Sequence, residues 1–244
     1  MAKLVWDSFD KRLYETGVKN GVLYPMKDDG SYPNGIAWNG LTAITESPSG
    51  AEATPVYAND SKYLELRSDE DFKYTIESYT YPDEFSECDG SYIVAPGSRA
   101  SQQKRKAFGL SYRTTLGNYS EGNDYGYKLH LLYHSMANPS ERGRATINND
   151  PEAVTFSWET TTTPIKIEGV GSFSHVVVNS TKIIPAKLMQ LESILYGSTS
   201  TEAYLPLPGE LMRIITDEIL DSNYESIRDS NGGILLDDYG SSGL

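Results

Sequence analysis

Apolar and polar residues alternate with a period of two in one short stretch after another. Tyr63-Leu64-Glu65-Leu66-Arg67 alternates, and Phe72, Tyr74 and Ile76 oppose Lys73, Thr75 and Glu77. Phe108, Leu110 and Tyr112 oppose Gly109, Ser111 and Arg113. Tyr127, Leu129, Leu131 and Tyr133 oppose Lys128, His130, Leu132 and His134, and Val154, Phe156 and Trp158 oppose Thr155, Ser157 and Glu159. Thr160 to Thr163 and Val176 to Val178 are further β-branched runs. A strand sends successive side chains to opposite faces, so each run presents one apolar and one polar face. Such strands build antiparallel sheets packed on one side. Asn-Gly and Gly-Asn pairs at 20–21, 34–35, 39–40, 117–118 and 122–123 supply turn chemistry. The expected fold class is mainly β, an antiparallel β-sandwich or barrel.

One helix is signalled strongly. Pro185 suits a first turn, Ile184, Leu188, Leu191 and Leu195 follow helical spacing, and Gly197 suits a cap. The spacing predicts a flanking helix over about 185–196, and a weaker one over 209–220. No repeat or linker divides the chain. The expected organisation is an N-terminal arm or first strand (1–24), one β domain (25–208) and an acidic extension (209–244). Residues 42–61 are rich in small residues and carry Pro48 and Pro55, so they read as a long loop.

Charge narrows the function classes. Lys and Arg number 21 against 34 Asp and Glu, a net charge of −13. That disfavours a surface that grips nucleic acid or an anionic membrane. Eight acids against two bases give residues 210–244 a balance of −6. Residues 95–113 are the opposite, with Arg99, Lys104, Arg105, Lys106 and Arg113 and no acid. This stretch lacks the interleaved aromatics that stacking on single strands requires. It reads as a solvated hairpin end or as a candidate basic interface patch. No stretch approaches the ~20 apolar residues of a membrane helix, and no signal peptide opens the chain. A cytoplasmic site of synthesis is expected.

Catalytic chemistry is hard to place. His130 and His134 are four apart, which chelates on a helix but spans about 13 Å on a strand. His175 is isolated in sequence and reads as a structural histidine. Cys88 is the single cysteine, so no disulfide framework or cysteine-zinc cluster forms. Its acidic neighbours Glu87 and Asp89 would raise its pKa. There is no GxSxG elbow, P-loop or dinucleotide fingerprint. The expectation is no enzyme, no metal and no cofactor. A glycosidase pair drawn from distant strands is a remote alternative that sequence leaves open.

Several phrases resemble one family. They are Gly17-Val18-Lys19-Asn20-Gly21-Val22-Leu23-Tyr24-Pro25, then Ile36-Ala37-Trp38-Asn39-Gly40-Leu41-Thr42-Ala43, running on through Glu46-Ser47-Pro48-Ser49-Gly50-Ala51-Glu52-Ala53-Thr54-Pro55. Next come Tyr79-Thr80-Tyr81-Pro82-Asp83-Glu84-Phe85, Phe108-Gly109-Leu110-Ser111-Tyr112-Arg113 and Phe156-Ser157-Trp158-Glu159 running on to Pro164. Leu191-Glu192-Ser193-Ile194-Leu195-Tyr196-Gly197 closes the series. In order and spacing the chain resembles the major tail tube proteins of long-tailed, non-contractile bacteriophages of Gram-positive hosts.

The resemblance implies a structural virion protein whose copies, six to a ring, stack into a hollow tube for DNA ejection. It implies as partners other copies of the chain, the tape measure protein, the tail terminator and distal tail proteins, with phage DNA in transit. A long loop and terminal arms would lock one ring to the next. Residues 42–61, with Glu46, Ser49, Glu52, Tyr57 and Asp60, are the candidate inter-ring contact, and the segment up to Tyr24 is a second. Glu65, Glu77 and Glu159 are candidate lumen acids, with an outer-surface position as the alternative. A carbohydrate- or host-binding β-sandwich of a tail tip is the rival reading, since 18 tyrosines permit exposed aromatics.

Overall fold

The computed structural model of the chain describes residues 4–50, 52–144, 146, 153–167 and 171–216. The first half holds β1 (Leu13–Pro25), β2 (Ile36–Trp38), β3 (Leu41–Glu46), β4 (Ser49–Gly50), β5 (Ala53–Ala58), β6 (Ser61–Arg67), β7 (Glu70–Asp71) and β8 (Lys73–Ser78). Then follow the short helix α1 (Phe85–Cys88), β9 (Tyr92–Ala95), β10 (Ser98–Ala100), β11 (Phe108–Asn118) and β12 (Gly122–Ala137). The last part holds β13 (Phe156–Thr162), β14 (Ile165–Ile167), β15 (Gly171–Phe173), β16 (His175–Asn179), α2 (Pro185–Tyr196) and α3 (Pro208–Ile215). The chain is mainly β, as the alternation predicts.

Eight strands form one antiparallel sheet in the order β2-β1-β11-β12-β13-β8-β3, with β16 also on β12. β2 and β3 stand at opposite ends of that order, yet only Asn39 and Gly40 join them. The sheet therefore curls until its ends meet. At that seam a Cβ on Gly21 of β1 would lie 3.4 Å from the Leu41 side chain. Gly40 turns the corner at a φ of +76°, where a side chain would be strained and would strike Thr80 at 2.8 Å.

The two faces bury separate cores. Inside the curl lie Leu23, Trp38, Tyr74, Ile76, Phe108, Leu110 and Trp158. α1 plugs this interior: the Phe85 ring lies 4.6 Å from Trp38, 5.1 Å from Trp158 and 5.4 Å from Phe108. On the outer face, Val22, Tyr24, Leu129, Leu131 and Tyr133 pack against Leu191, Leu195, Leu211 and Ile214 of α2 and α3. Leu23 points one way and its neighbours the other, as the period of two requires. Both faces of the central strands are thus covered, which is why Gly109 and Ser111 are buried beside Leu110. Two buried phenols fix the outer layer. Tyr24 Oη donates to the carbonyl of Leu195 at 2.8 Å, and Tyr133 Oη to that of Pro206 at 3.0 Å.

β12 serves two partners on one edge. Lys128–Leu132 pair with β16, and Ser135–Ala137 pair with β13. The handover falls at His134, whose φ is +45°. The sheet forks there into a β16 branch and a β13-β8-β3 branch.

Four expectations need correction. Residues 42–61 are not a loop: they are the end of β3, β4, β5 and the start of β6. Small residues and prolines hid a ribbon that has no buried face to pattern. For the same reason β6 is not half-buried, since all seven of its residues are exposed. Lys19-Asn20-Gly21 is not a turn but an irregularity within β1, where the register with β11 shifts twice and Asn20 takes a φ of +54°. The weaker helix is real but shorter, ending at Ile215. The rest of the acidic extension lies outside the described residues.

Candidate functional site

Among the described residues β5 and β6 pair only with each other, through a turn at Asn59 and Asp60. Both turn residues have positive φ, 50° and 58°, the conformation that suits a two-residue hairpin. Every residue of both strands is exposed, including Val56, Tyr57, Tyr63, Leu64 and Leu66. A lone hairpin is marginal in water. This arm carries apolar side chains on a ribbon that the described residues leave uncovered. Of the candidate inter-ring residues, Tyr57 lies on β5 and Asp60 in its turn. Glu52 precedes β5, Ser49 lies in β4, and Glu46 ends β3 at the arm's root. A second exposed apolar cluster, Leu4, Val5, Trp6 and Phe9, precedes β1.

The candidate acids separate. Glu77 on β8 pairs with Ser157, and Glu159 on β13 pairs with Thr75, so the two acids are diagonal neighbours on one sheet face. Glu65 sits on the arm, ion-paired with Lys62 and 3.9 Å from Arg67.

The basic stretch is largely engaged within the chain. Arg99 pairs with Asp83, Lys106 with Glu87 at 3.2 Å, and Arg105 with Asp89 at 3.6 Å. Lys104 lies with Arg105 and Lys106 on a 620 Å³ cleft beside Tyr92 and Met136. Arg113 stands apart from these. It donates to Glu192 of α2 at 2.6 Å and lies over the rings of Tyr127 and Tyr196.

One constellation escaped the sequence reading. His175 is not isolated, because β16 pairs antiparallel with β12 and brings it beside His130. His130 Nδ1 and His175 Nε2 are 3.1 Å apart. Glu46 Oε1 lies 3.6 Å from the first and 3.9 Å from the second. Rings pack the pair on both sides: Tyr112 stacks on His130 at 4.5 Å, and Phe72 covers His175 at 4.6 Å. The Tyr112 hydroxyl donates to Glu46 Oε1 at 3.0 Å. On its far side His130 Nε2 meets the Thr114 hydroxyl at 3.1 Å, and that hydroxyl donates to Glu15. Burial drives the His130 pKa down to about 4, and the neighbouring His175 adds to it. Burial lowers His175 too, while Glu46 opposes the shift. His134, the residue sequence spacing would pair with His130, stands at the fork and not in the cluster.

Burial pushes the Cys88 thiol up to about 12, with Glu87 adding to the shift. Among the described residues no helix is long and apolar enough to cross a membrane.

No protein-family profile and no curated protein matches this chain. Among solved structures it is similar to a chain of "Cryo-EM structure of the anti-feeding prophage (AFP) baseplate, 6-fold symmetrised". The identity is 9% and the TM-score 0.35, over 73% of this chain and 97% of that one.

Proposed function

We propose that the chain is a self-assembling structural protein of a bacteriophage tail tube, its copies closing into rings that stack around a DNA conduit. The observation that carries this reading is the β5–β6 arm. A ribbon exposed on both faces, with Val56, Tyr57, Tyr63, Leu64 and Leu66 in solvent, gains its stability by lying on another molecule. A second copy supplies that cover repeatedly, and a head-to-tail contact of this kind builds rings or filaments. Charge supports the same reading. Neutralised phosphates release counterions and make DNA stick, so a conduit is better served by an excess of carboxylates such as the −13 balance found here. Glu77 and Glu159 are the sheet acids assigned to the lumen. In this reading the arm, with Tyr57 and Asp60 near its tip, makes the contact between rings. The tape measure, terminator and distal tail proteins are its neighbours in the virion.

The test is direct. The purified full chain is concentrated and imaged by negative-stain microscopy. Rings or hollow tubes are expected. A monomer at every concentration and salt tried would sink the reading, and sugar-array binding would then test the tail-tip alternative.

A further inference from the structure

We propose that Glu46, His130 and His175 form a binding site for one divalent transition-metal ion of the zinc class, which pins the root of the β5–β6 arm to the barrel. Three atoms able to ligate a metal converge, His130 Nδ1, His175 Nε2 and Glu46 Oε1, with His175 taking the tautomer protonated on Nδ1 when an ion binds. Their separations are 3.1, 3.6 and 3.9 Å. The point equidistant from the corners of such a triangle lies about 2.1 Å from each, within the ~2.0–2.2 Å of zinc–nitrogen and zinc–carboxylate bonds. An ion can therefore enter with little movement of its ligands. Two imidazoles and a carboxylate suit zinc and its neighbours, whereas calcium and magnesium favour all-oxygen shells.

The hydrogen bonds around the cluster favour the metal-binding tautomer of His130. The Thr114 hydroxyl donates its proton to Glu15, so its oxygen accepts from His130 Nε2–H. Nδ1 is then the nitrogen with the free lone pair, and it faces Glu46 and His175. A histidine ligand whose other nitrogen is held through a hydroxyl to a carboxylate is the arrangement that fixes ring orientation in metal sites. Tyr112 holds Glu46 in the same way, by its hydroxyl at 3.0 Å. Glu46 is partly in solvent and lines a 510 Å³ cleft with Glu15, Tyr112, Thr114 and His130, so two of the three ligands open onto solvent, from which an ion could enter.

The three ligands come from three strands. His130 is on β12, His175 on β16 and Glu46 on β3. The last two belong to different branches of the fork, and Glu46 is the final residue of β3, from which the chain leads through β4 to the arm. A metal there would tie both branches together and fix the direction in which the arm leaves. This site does not depend on the tail-tube reading, and its test reads metal rather than assembly.

The full chain is stripped with a chelator and titrated with Co²⁺, whose visible spectrum reports coordination. One Co²⁺ per chain is expected, with the intense bands of a four-coordinate site, displaced by Zn²⁺. His175→Gln and Glu46→Gln, at the two more exposed positions, should each weaken binding by at least ~100-fold. Thr114→Val should weaken it about 10- to 100-fold by releasing the His130 ring. His134→Asn should leave it unchanged. Circular dichroism of the metal-free variants checks their fold. Zn²⁺ should also slow amide exchange over residues 47–71. A wild-type spectrum that stays that of aqueous Co²⁺, or variants that bind like wild type, would reduce the cluster to a hydrogen-bonded imidazole pair. Binding without slowed exchange would remove the pinning role.

Discussion

Cys88 shows how one residue's environment decides its chemistry. It is buried against the plugged interior, and its thiol is pushed up to about 12. At pH 8 almost none of it is thiolate in the folded chain. Alkylation by iodoacetamide should therefore run at least ~100-fold slower on folded than on denatured protein, as mass spectrometry of timed samples would show. The acidic neighbours were legible in sequence, but burial, the larger cause, was not. The same holds for His175. No spacing within the chain links it to His130, 45 positions away. Only the antiparallel pairing of β16 with β12 does so. Glu46 joins them because its strand is the far end of a curled sheet. Clusters assembled across register are invisible to motif reading, since their spacing carries no fixed number.

At the scale of elements, legibility followed burial. β8, β11, β12 and α2 each bury side chains against the core, and all four lie where the alternation or the helical spacing predicts. β5 and β6 bury none, and their sequence reads as loop on one side of Tyr63 and as a half-buried strand on the other. α1 has only four residues, fewer than one full period of helical patterning can reveal. Its contribution is nonetheless large. Phe85 is fully buried among Trp38, Phe108 and Trp158. Phe85→Ala should cost about 3–5 kcal/mol, measured by denaturant unfolding, because the aromatic cage around it cannot collapse into the space. The arm should behave in the opposite way. Tyr57→Ala and Leu66→Asp remove no buried contact among the described residues, so stability should change by less than about 0.5 kcal/mol. Sedimentation should show both variants shifted toward monomer. Wild-type assembly in either variant would detach the arm from the interface.

For the whole molecule, charge and shape set the remaining expectation. Glu77 and Glu159 share one sheet face, while Glu65 rides on the arm. If the sheet face lines the conduit, Glu77→Lys with Glu159→Lys should leave tubes intact by microscopy but lower the infectivity of the phage that carries them. Glu65→Lys should instead act on assembly, since it reverses the partner of Lys62 on the arm. Unchanged infection by the double variant would move those acids to the outer surface. Fold class and the main helix were legible from alternation and spacing. Alternation left sandwich and barrel both open, and what decides between them is that β2 and β3 are neighbours in sequence and opposite ends in pairing order.

That closure has a temporal side. β1 completes its pairing only with β11, so Leu13 waits for Asn118. At ~5–20 residues per second of synthesis, β1 spends on the order of 10 s with one edge bare. The β5–β6 hairpin needs only its own fifteen-residue span, Ala53 to Arg67, and such hairpins form within ~10 μs. The exposed ribbon can thus form and re-form long before the barrel that should present it. If the arm is the contact proposed above, a nascent chain can stick to its neighbours before it has a shape, and slower barrel closure should lower the yield of assembled protein.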